Sequence, residues 1–301
     1  MTIDSLRASA GSDPFDALRP RLFSVAYRML GTRADAEDVV QDAWLRWQQN
    51  TDRSAVQSAE AWLVTVVTRL SIDRLRAAKA EREAYVGKWL PEPLVEASDD
   101  HTPEVAAELA SDLSIALLWV LERLSAEERA AFLLRQVFDH DYDEIASLLG
   151  KTEAACRQMV HRAAERLQQT RTRFDVPREA HRRVVEKFMA AAQSGQRDAI
   201  QALLADDVEL VGDGGGKVPS IFKVLHGALR IANLFWVTGR RFGPQMLYRH
   251  AQINGEPGVL RYVDGKLESA MAFATDGERI TGVYVIRNPD KLARIPQSLA
   301  R

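Results

Sequence analysis

The 301-residue chain is 46 % hydrophobic and 27 % charged, which is typical of a folded globular protein with room for two or three domains. No stretch approaches 18 consecutive apolar residues, and no basic segment leads into an apolar run at the N-terminus. We therefore expect no membrane span and no signal peptide, and a cytoplasmic location. The single cysteine, Cys156, excludes an intrachain disulfide and a cysteine-rich metal site.

The net charge of −2 conceals a segregation of charge along the chain. Residues 1–176 hold 22 Lys and Arg against 29 Asp and Glu, a charge of −7, whereas residues 177–301 hold 18 against 13, a charge of +5. Attraction between the two parts favours a compact state in which residues 177–301 fold back on the rest. Because exposed charge pairs are individually weak, we expect a small interface that opens readily.

After an N-terminal tail (1–13), residues 14–84 have the apolar spacing of a compact helical unit. Within it, a helix over residues 35–47 places Asp35, Asp38 and Asp42 along one side. Such an acidic face is a docking surface for a basic partner, although solvated helix faces are commoner. A further helical stretch, residues 60–83, is apolar in its first half and basic in its second.

Residues 85–103 contain three prolines, a glycine and an acidic run, which predict a linker. Residues 104–173 are helical again and end in a pattern typical of a helix-turn-helix, with Gly150 as the hinge and Thr152 capping the second helix. Apolar residues repeat at helical spacing in that helix: Cys156, Val160, Ala163 and Leu167. Their burial turns hydrogen-bonding side chains toward the position of a major groove: Glu153, Arg157, Gln158 and His161. An ordinary amphipathic helical hairpin fits this segment alone equally well.

The pattern changes after Pro177. Two helices (178–194 and 196–205) lead to a short strand at 208–211, a tight turn at 213–217 and a helix over 228–238. Four strand-like runs follow, separated by hairpin turn signals, at 246–253, 258–263, 267–274 and 280–287. Helices followed by an antiparallel meander indicate an α+β domain.

The order of these segments resembles regions 2 and 4 of a bacterial RNA polymerase sigma factor. More narrowly, the chain is similar to an extracytoplasmic-function sigma factor, because regions 1 and 3 are absent. The resemblance implies two partners, core RNA polymerase and promoter DNA. It also implies that the linker enters the active-site channel of the polymerase.

The resemblance assigns roles to individual residues. The helix over 35–47 looks like region 2.2, which docks on the β′ coiled coil of core polymerase, through Asp35, Asp38, Gln41 and Asp42. The segment from 62 to 76 looks like the part that opens and reads the −10 element, through Trp62, Arg69, Arg74 and Arg76. Residues 141–167 look like region 4.2, which reads the −35 element, through Thr152, Glu153, Arg157, Gln158 and His161.

Motifs outside these regions resemble the sigma factor subgroup that carries a fused SnoaL-like domain of the NTF2-like fold. They are Trp89-Leu-Pro-Glu-Pro93, Asp213-Gly-Gly-Gly-Lys217, Asn254-Gly-Glu-Pro257 and Asn288-Pro-Asp-Lys-Leu292. The predicted fold is multidomain: an all-α region 2 helical bundle (14–84), an all-α region 4 with its helix-turn-helix (104–173), and an α+β NTF2-like cone (177–301). The resemblance implies control by this third domain instead of a separate anti-sigma protein.

Intramolecular docking of the third domain is expected to join the linker to two of its loops. The linker residues are Trp89, Leu90 and Pro91. The loop residues are Asp213, Gly214, Gly215, Gly216 and Lys217 in one loop, and Asn288, Pro289, Asp290, Lys291 and Leu292 in the other.

Other functions of the third domain remain open. Catalytic NTF2-like proteins hold an Asp and a His in the cone, and Asp213, His226 and His250 are the candidates. The adjacent glycines explain Asp213 equally as a turn residue, so we predict no enzyme, no metal and no cofactor, and leave open an unknown small ligand in the pocket. The alternative for the whole chain is a one-component transcription regulator whose cone binds an effector. That interpretation gives residues 14–84 no function.

Overall fold

Residues 14–83 fold into four helices in the computed structural model, which describes residues 14–96, 114–171 and 176–295. The helices are α1 (Pro14–Leu30), α2 (Arg33–Gln49), α3 (Ala59–Ala77) and α4 (Lys79–Glu83), with a 3₁₀ turn at Arg53–Ala55. Thr32 and Ser58 cap α2 and α3, since each side-chain oxygen accepts a hydrogen bond from a first-turn amide. The predicted helical bundle is therefore present.

A second helical unit contains α5 (Ile115–Leu121), α6 (Ala126–Gln136), α7 (Tyr142–Leu149) and α8 (Glu153–Arg171). Gly150 ends α7 in the left-handed conformation, and the Thr152 hydroxyl accepts a hydrogen bond from the amide of Ala155 at 3.2 Å. Both predictions for the helix-turn-helix are thus confirmed. Its predicted core residues Cys156, Val160 and Ala163 are buried, while the side chain of Leu167 lies outside the described residues.

The third unit begins with α9 (Arg178–Gln193) and α10 (Arg197–Ala202). Its remaining elements are β2 (Leu204–Asp213), β3 (Leu225–His226), α11 (Ala228–Phe242), a 3₁₀ turn (Gly243–Gln245), β4 (Met246–Ile253), β5 (Glu256–Val263), β6 (Lys266–Thr275), β7 (Ile280–Ile286) and α12 (Pro289–Leu292). The predicted α+β class is confirmed. The second helix ends earlier than predicted, because Leu204 pairs with Ile280 at the start of the parallel β2–β7 ladder.

The linker contributes a strand that the sequence did not predict. Residues Val95–Glu96 form β1, which pairs antiparallel with β4 at the edge of a seven-stranded sheet of order β1-β4-β5-β6-β7-β2-β3 within the described residues. Residues 85–96 are therefore built into the structure instead of spanning freely between domains. Parts of the predicted architecture lie outside the described residues: the tail (1–13), 97–103 of the linker, 104–113 and 172–173 of region 4, and 296–301 of the third domain.

Both faces of the central strands of the sheet are buried. On the concave face, inside the cone, apolar residues pack with α9 and α11: Leu210, Val259, Met271, Phe273, Val283 and Val285. On the outer face, alternate residues belong to the same core as the sigma domains: Val211, Leu260, Tyr262, Ala270, Ala272, Ala274, Tyr284 and Ile286. Helix α5 packs directly on β6 and β7. The expectation of a small interface is wrong, because a continuous apolar layer joins the third domain to the other two.

In the described ranges, no helix combines the length and the apolarity needed to cross a bilayer.

The pH dependence of stability gives a first prediction, centred on His181 of α9. This ring is 6 % exposed, and burial, followed by the nearby Arg178, lowers its pKa to about 4. In the unfolded chain this imidazole binds a proton near pH 6.5, whereas in the folded chain it stays neutral until about pH 4. The free energy of unfolding present above pH 6.5 is therefore lost progressively as pH falls toward 4. We expect this residue to lower the free energy of unfolding by about 2 kcal/mol between pH 7 and pH 5.

Urea melts of the wild type and His181→Gln at both pH values measure this contribution. The variant should lose less stability on acidification than the wild type, whereas His250→Gln, at an exposed position of β4, should behave like the wild type. Equal acid sensitivity of wild type and His181→Gln would contradict the assignment.

Candidate functional site

The predicted polymerase-docking residues lie on α2, and three of them face solvent. Asp38, Gln41 and Asp42 are exposed. The exposed Trp44 and Leu45 lie beside them, each 41 % exposed, and add apolar surface that the sequence reading missed. The face therefore presents acidic and apolar side chains side by side.

Asp35 is not available in the same way. The sequence offers no basic neighbour for it along α2, but Arg74 of α3 contacts its carboxylate at 2.7 Å and approaches Asp38 at 3.4 Å. The hydrogen bond to Asp35 raises the pKa of the Arg74 guanidinium. Asp35 and, less closely, Asp38 therefore have a basic partner, which lies 39 and 36 residues away from them in sequence.

The residues predicted to read the −10 element lie where α3 meets its neighbours. Trp62 is half-buried against Trp47, with ring centroids 5.5 Å apart. Arg69 Nε donates to the carbonyl of Leu148 in the helix-turn-helix at 3.2 Å. Arg76 pairs with Glu127 of α6 at 2.5 Å. Together with the Arg74 pair, these contacts engage the three predicted −10 arginines with other parts of the chain.

The residues predicted to read the −35 element lie together on α8. Glu153, Arg157, Gln158 and His161 are all exposed. Arg157 contacts Glu153 at 2.6 Å and lies over the Tyr142 ring at 5.2 Å, while His161 is 3.6 Å from Glu165. Thr152 is exposed at the start of the helix, where its hydroxyl is used in the cap. This face is open to solvent, and its charged groups contact exposed carboxylates and the half-buried Tyr142 ring.

Asp213 is the centre of the contact between the linker and the third domain. Its side chain is fully buried, and Oδ2 accepts hydrogen bonds from the Leu90 amide at 2.9 Å and from Lys291 Nζ at 2.7 Å. Oδ1 accepts from the Tyr85 hydroxyl at 2.6 Å and from the Gly215 amide at 3.0 Å. A carboxylate with four donors is well compensated for its loss of water.

Lys291 completes this arrangement, which we call the linker latch: Tyr85, Leu90, Asp213, Asn288 and Lys291. The ammonium also donates to the Leu90 carbonyl, so it holds the linker backbone directly. Burial lowers the pKa of Lys291, and burial with the hydrogen bond to Asp213 raises the pKa of Tyr85. Asn288 Nδ2 donates to the Tyr85 hydroxyl at 2.9 Å. The latch therefore uses a buried ion pair to fix two linker residues.

Trp89 is held between two cations beside the latch. Its ring lies 4.2 Å from the Arg82 guanidinium and 4.0 Å from Lys291 Nζ. A methyl group at Gly31, where φ is +72°, would lie 2.6 Å from Trp89 Cη2. Only glycine suits that turn between α1 and α2, since both the backbone angle and the ring exclude a side chain.

A second set of contacts holds the linker beyond Trp89. Asn254, at φ +53° in the β4–β5 turn, exchanges hydrogen bonds with the Leu94 backbone at 2.8 and 2.9 Å. The side-chain Nδ2 of Asn254 also donates to the Tyr27 hydroxyl at 2.8 Å, and that hydroxyl donates to the Glu92 carbonyl at 2.6 Å. One buried asparagine therefore joins the sheet, the linker and α1.

The remaining residues of the predicted contact loops shape the loops without bonding the linker backbone. Gly214 and Gly215 have no room for a side chain: a methyl group would lie 2.4 Å from Val218 O and from Asn288 Nδ2, respectively. Gly216 is at φ +70°. Lys217 pairs with Asp290 at the surface, Pro289 begins α12, and Leu292 and Pro91 are buried.

The three acid–base candidates do not come together. Asp213 is committed to the latch, His226 is 61 % exposed next to Glu209, and His250 is exposed on β4. None of them lines the cavity inside the cone. This arrangement gives no acid–base pair from these residues.

Several residues of the interface were not identified from the sequence: Tyr27, Arg82, Tyr85, Glu92, Glu122 and Arg294. Arg82 shows why, since it donates to the Leu30 carbonyl and pairs with Glu122 of the second helical unit. These partners are 52 and 40 residues away, a distance over which no spacing rule operates. Asn254 did carry a signal, but its asparagine-glycine pair indicates only a turn.

Comparisons with known proteins agree with this architecture. The family described as Sigma-70 region 2 matches residues 15–81, and Sigma-70, region 4 matches residues 114–167. The chain is 39 % identical to the ECF RNA polymerase sigma factor SigJ of Mycobacterium tuberculosis, over 94 % of this chain and 93 % of SigJ. It is 29 % identical to the probable ECF RNA polymerase sigma factor SigI of the same species, over 92 % of both chains.

The crystal structure of M. tuberculosis SigJ superposes with a TM-score of 0.77 at 37 % identity, and covers 93 % of this chain and 97 % of that one. That match includes the helical domains and the NTF2-like domain together. The chain therefore belongs to the extracytoplasmic-function (ECF) RNA polymerase sigma factors.

Proposed function

We propose that this sigma factor binds core RNA polymerase through α2, directs promoter-specific initiation through α3 and α8, and is regulated by its own NTF2-like domain. The observation that carries the regulatory part is the buried Asp213–Lys291 pair, which bonds the amide and the carbonyl of Leu90. The linker has to leave this latch before it enters the polymerase channel. The latch therefore delays promoter opening.

The state of the other surfaces supports this order of events. The acidic and apolar face of α2 is exposed, and so are the predicted −35 residues of α8. The predicted −10 arginines instead contact α2, α6 and the helix-turn-helix. We infer that the compact state meets polymerase and −35 DNA first, and that reading of the −10 element follows separation of the helical domains.

The NTF2-like domain also encloses a cavity of about 430 Å³. Binding of a small ligand there is part of the proposal, since a regulatory domain without a separate anti-sigma protein needs its own input. The size lies within the range usual for ligand pockets.

Asp213→Asn tests the latch. Loss of the charge leaves Lys291 buried without its counter-ion, which costs about 3–5 kcal/mol when a buried pair is broken. We expect hydrogen exchange in residues 85–95 to accelerate at least about 100-fold, and open complexes to form faster on a promoter selected with the wild type.

Asp290→Asn is the matched control for that variant. It removes an equivalent carboxylate two residues from Asn288, but from a pair that is exposed on both sides. It should leave exchange and open-complex formation unchanged. If Asp213→Asn behaved like this control while β5–β7 stayed protected, the latch would have no regulatory role.

Asp38→Arg combined with Asp42→Arg tests polymerase docking. Reversing two exposed charges at the centre of the α2 face turns attraction to a basic partner into repulsion. Co-elution with core polymerase in size-exclusion chromatography should be lost, while thermal melting is unchanged. The control is Asp198→Arg with Glu278→Arg, which makes the same charge change on the third domain. Co-elution of the α2 variant would sink the assignment.

Arg157→Ala tests −35 reading. A good base contact is worth about 1–3 kcal/mol, so affinity for a −35 duplex should fall and the preference among single-base variants should weaken. Fluorescence anisotropy at two salt concentrations separates this result from loss of a phosphate contact, which weakens all sequences alike. Arg183→Ala, an exposed arginine of α9, is the control. Unchanged affinity and preference in Arg157→Ala would show that another face reads the DNA.

A further inference from the structure

The cavity inside the cone is apolar over most of its wall and charged at one side. It lies between α11 and the concave face of the sheet, and its apolar lining includes Leu210, Ile221, Leu234, Phe235, Val263 and Val285. Three arginines and one acid also line it: Arg241, Arg261, Arg287 and Glu268. The lining therefore has an excess of positive charge.

The charged groups form one cluster around Glu268. Arg261, which is 7 % exposed, contacts Glu268 Oε2 at 2.6 Å, and Arg287 contacts the other carboxylate oxygen. Two guanidiniums share a single carboxylate, so the cluster carries one uncompensated positive charge in a largely apolar site. The exposed Arg241 adds a second at the cavity wall.

Arg287 has unused hydrogen-bonding capacity. Within the described part of the chain, its buried Nε has no hydrogen-bond partner. A cluster of cations without a full counter-charge is costly in such a site, and a planar carboxylate supplies the missing charge in a geometry that matches a guanidinium.

We propose that the cavity binds a small carboxylic acid in its ionised form, with the carboxylate on Arg287 and Arg261 and an aliphatic or aromatic body against the apolar wall. Among the described residues that line the cavity, Glu268 is the one acid and is already shared by two arginines, so they offer no comparable site for a cation. A neutral apolar molecule fits the wall but leaves the guanidiniums uncompensated.

The cavity is connected to the linker latch through one segment of backbone. The Arg287 guanidinium donates to the Pro219 carbonyl, and Pro219 follows the 213–217 loop. The backbone amides of Arg287 and Asn288 both donate to the Asp213 carbonyl, at 2.7 and 3.0 Å. A carboxylate that draws Arg287 away from Pro219 therefore loosens the loop that carries Asp213. This coupling rests on the proposed function of the latch, whereas the binding site does not.

Octanoate, octanol and octylamine are suitable probes, because they share one apolar chain and differ in the charge of the head group. Calorimetry on the full-length protein, without polymerase or DNA, should show octanoate binding at least about 10-fold tighter than octanol and no binding of octylamine. Arg287→Gln should lower the affinity for octanoate at least 10-fold and leave the affinity for octanol unchanged. Glu268→Gln should raise the affinity for octanoate, since it removes the carboxylate that competes with the ligand for the arginines.

Two further variants separate the head-group contact from general effects on the fold. Leu234→Trp, which fills the apolar part, should weaken octanoate and octanol together. Arg279→Gln, an exposed arginine in the β6–β7 turn, should change neither. Absence of octanoate binding, equal affinity for octanoate and octanol, or full octanoate affinity in Arg287→Gln would each overturn the proposed carboxylate site.

Hydrogen exchange of residues 85–95 with saturating octanoate tests the coupling separately. Faster exchange supports it, and unchanged exchange with bound octanoate overturns the coupling while the binding site stands. If Asp213→Asn fails to release the linker although octanoate binds, the proposed function of the latch is wrong independently of the cavity.

Discussion

The buried Asp213–Lys291 pair is the interaction on which the arrangement of the three units depends. A carboxylate and an ammonium removed from water are costly unless their remaining donors and acceptors are satisfied. Here three of the required groups come from the linker: the Tyr85 hydroxyl and the amide and carbonyl of Leu90. Undocking the linker removes these hydrogen-bonding partners from the buried pair until water replaces them. The pair therefore stabilises the docked position of the linker.

The apolar layer and the ion pair have different tasks. Alternate residues of β6 face opposite ways, with Phe273 in the cone and Ala272 against the sigma domains, so the sheet supplies area on both sides. Burial of that area is non-directional and tolerates sliding. The hydrogen bonds of Asp213 and Asn254 fix the register, because each accepts or donates to a particular backbone group of the linker.

Local chemistry made the elements predictable, and long-range contacts limited what could be predicted of the site. The apolar spacing of α8, the Gly150 hinge and the asparagine-glycine and aspartate-glycine turns act within a few residues. The β1 pairing and the Asp35–Arg74 contact exist only after folding. One feature of the sequence did indicate that the sheet is covered on both sides: Ile280–Ile286 is apolar almost throughout, as strands buried on both faces are. Charge counts alone suggested a weaker contact.

In the proposed sequence of events, polymerase and DNA drive the opening of the compact state and a ligand of the cavity makes release of the linker easier, since the latch on its own is internally satisfied. The proposed docking surface on α2 is exposed, so polymerase binding there requires no interdomain contact to break first, and the binding energy is available for the later steps. In the proposed reading of the −10 element, the arginines of α3 would replace their carboxylate partners with DNA phosphates, so that each positive charge keeps a negative partner. The latch loses the Leu90 backbone groups when the linker leaves. We therefore propose release of the linker as the step at which the third domain has most control over initiation.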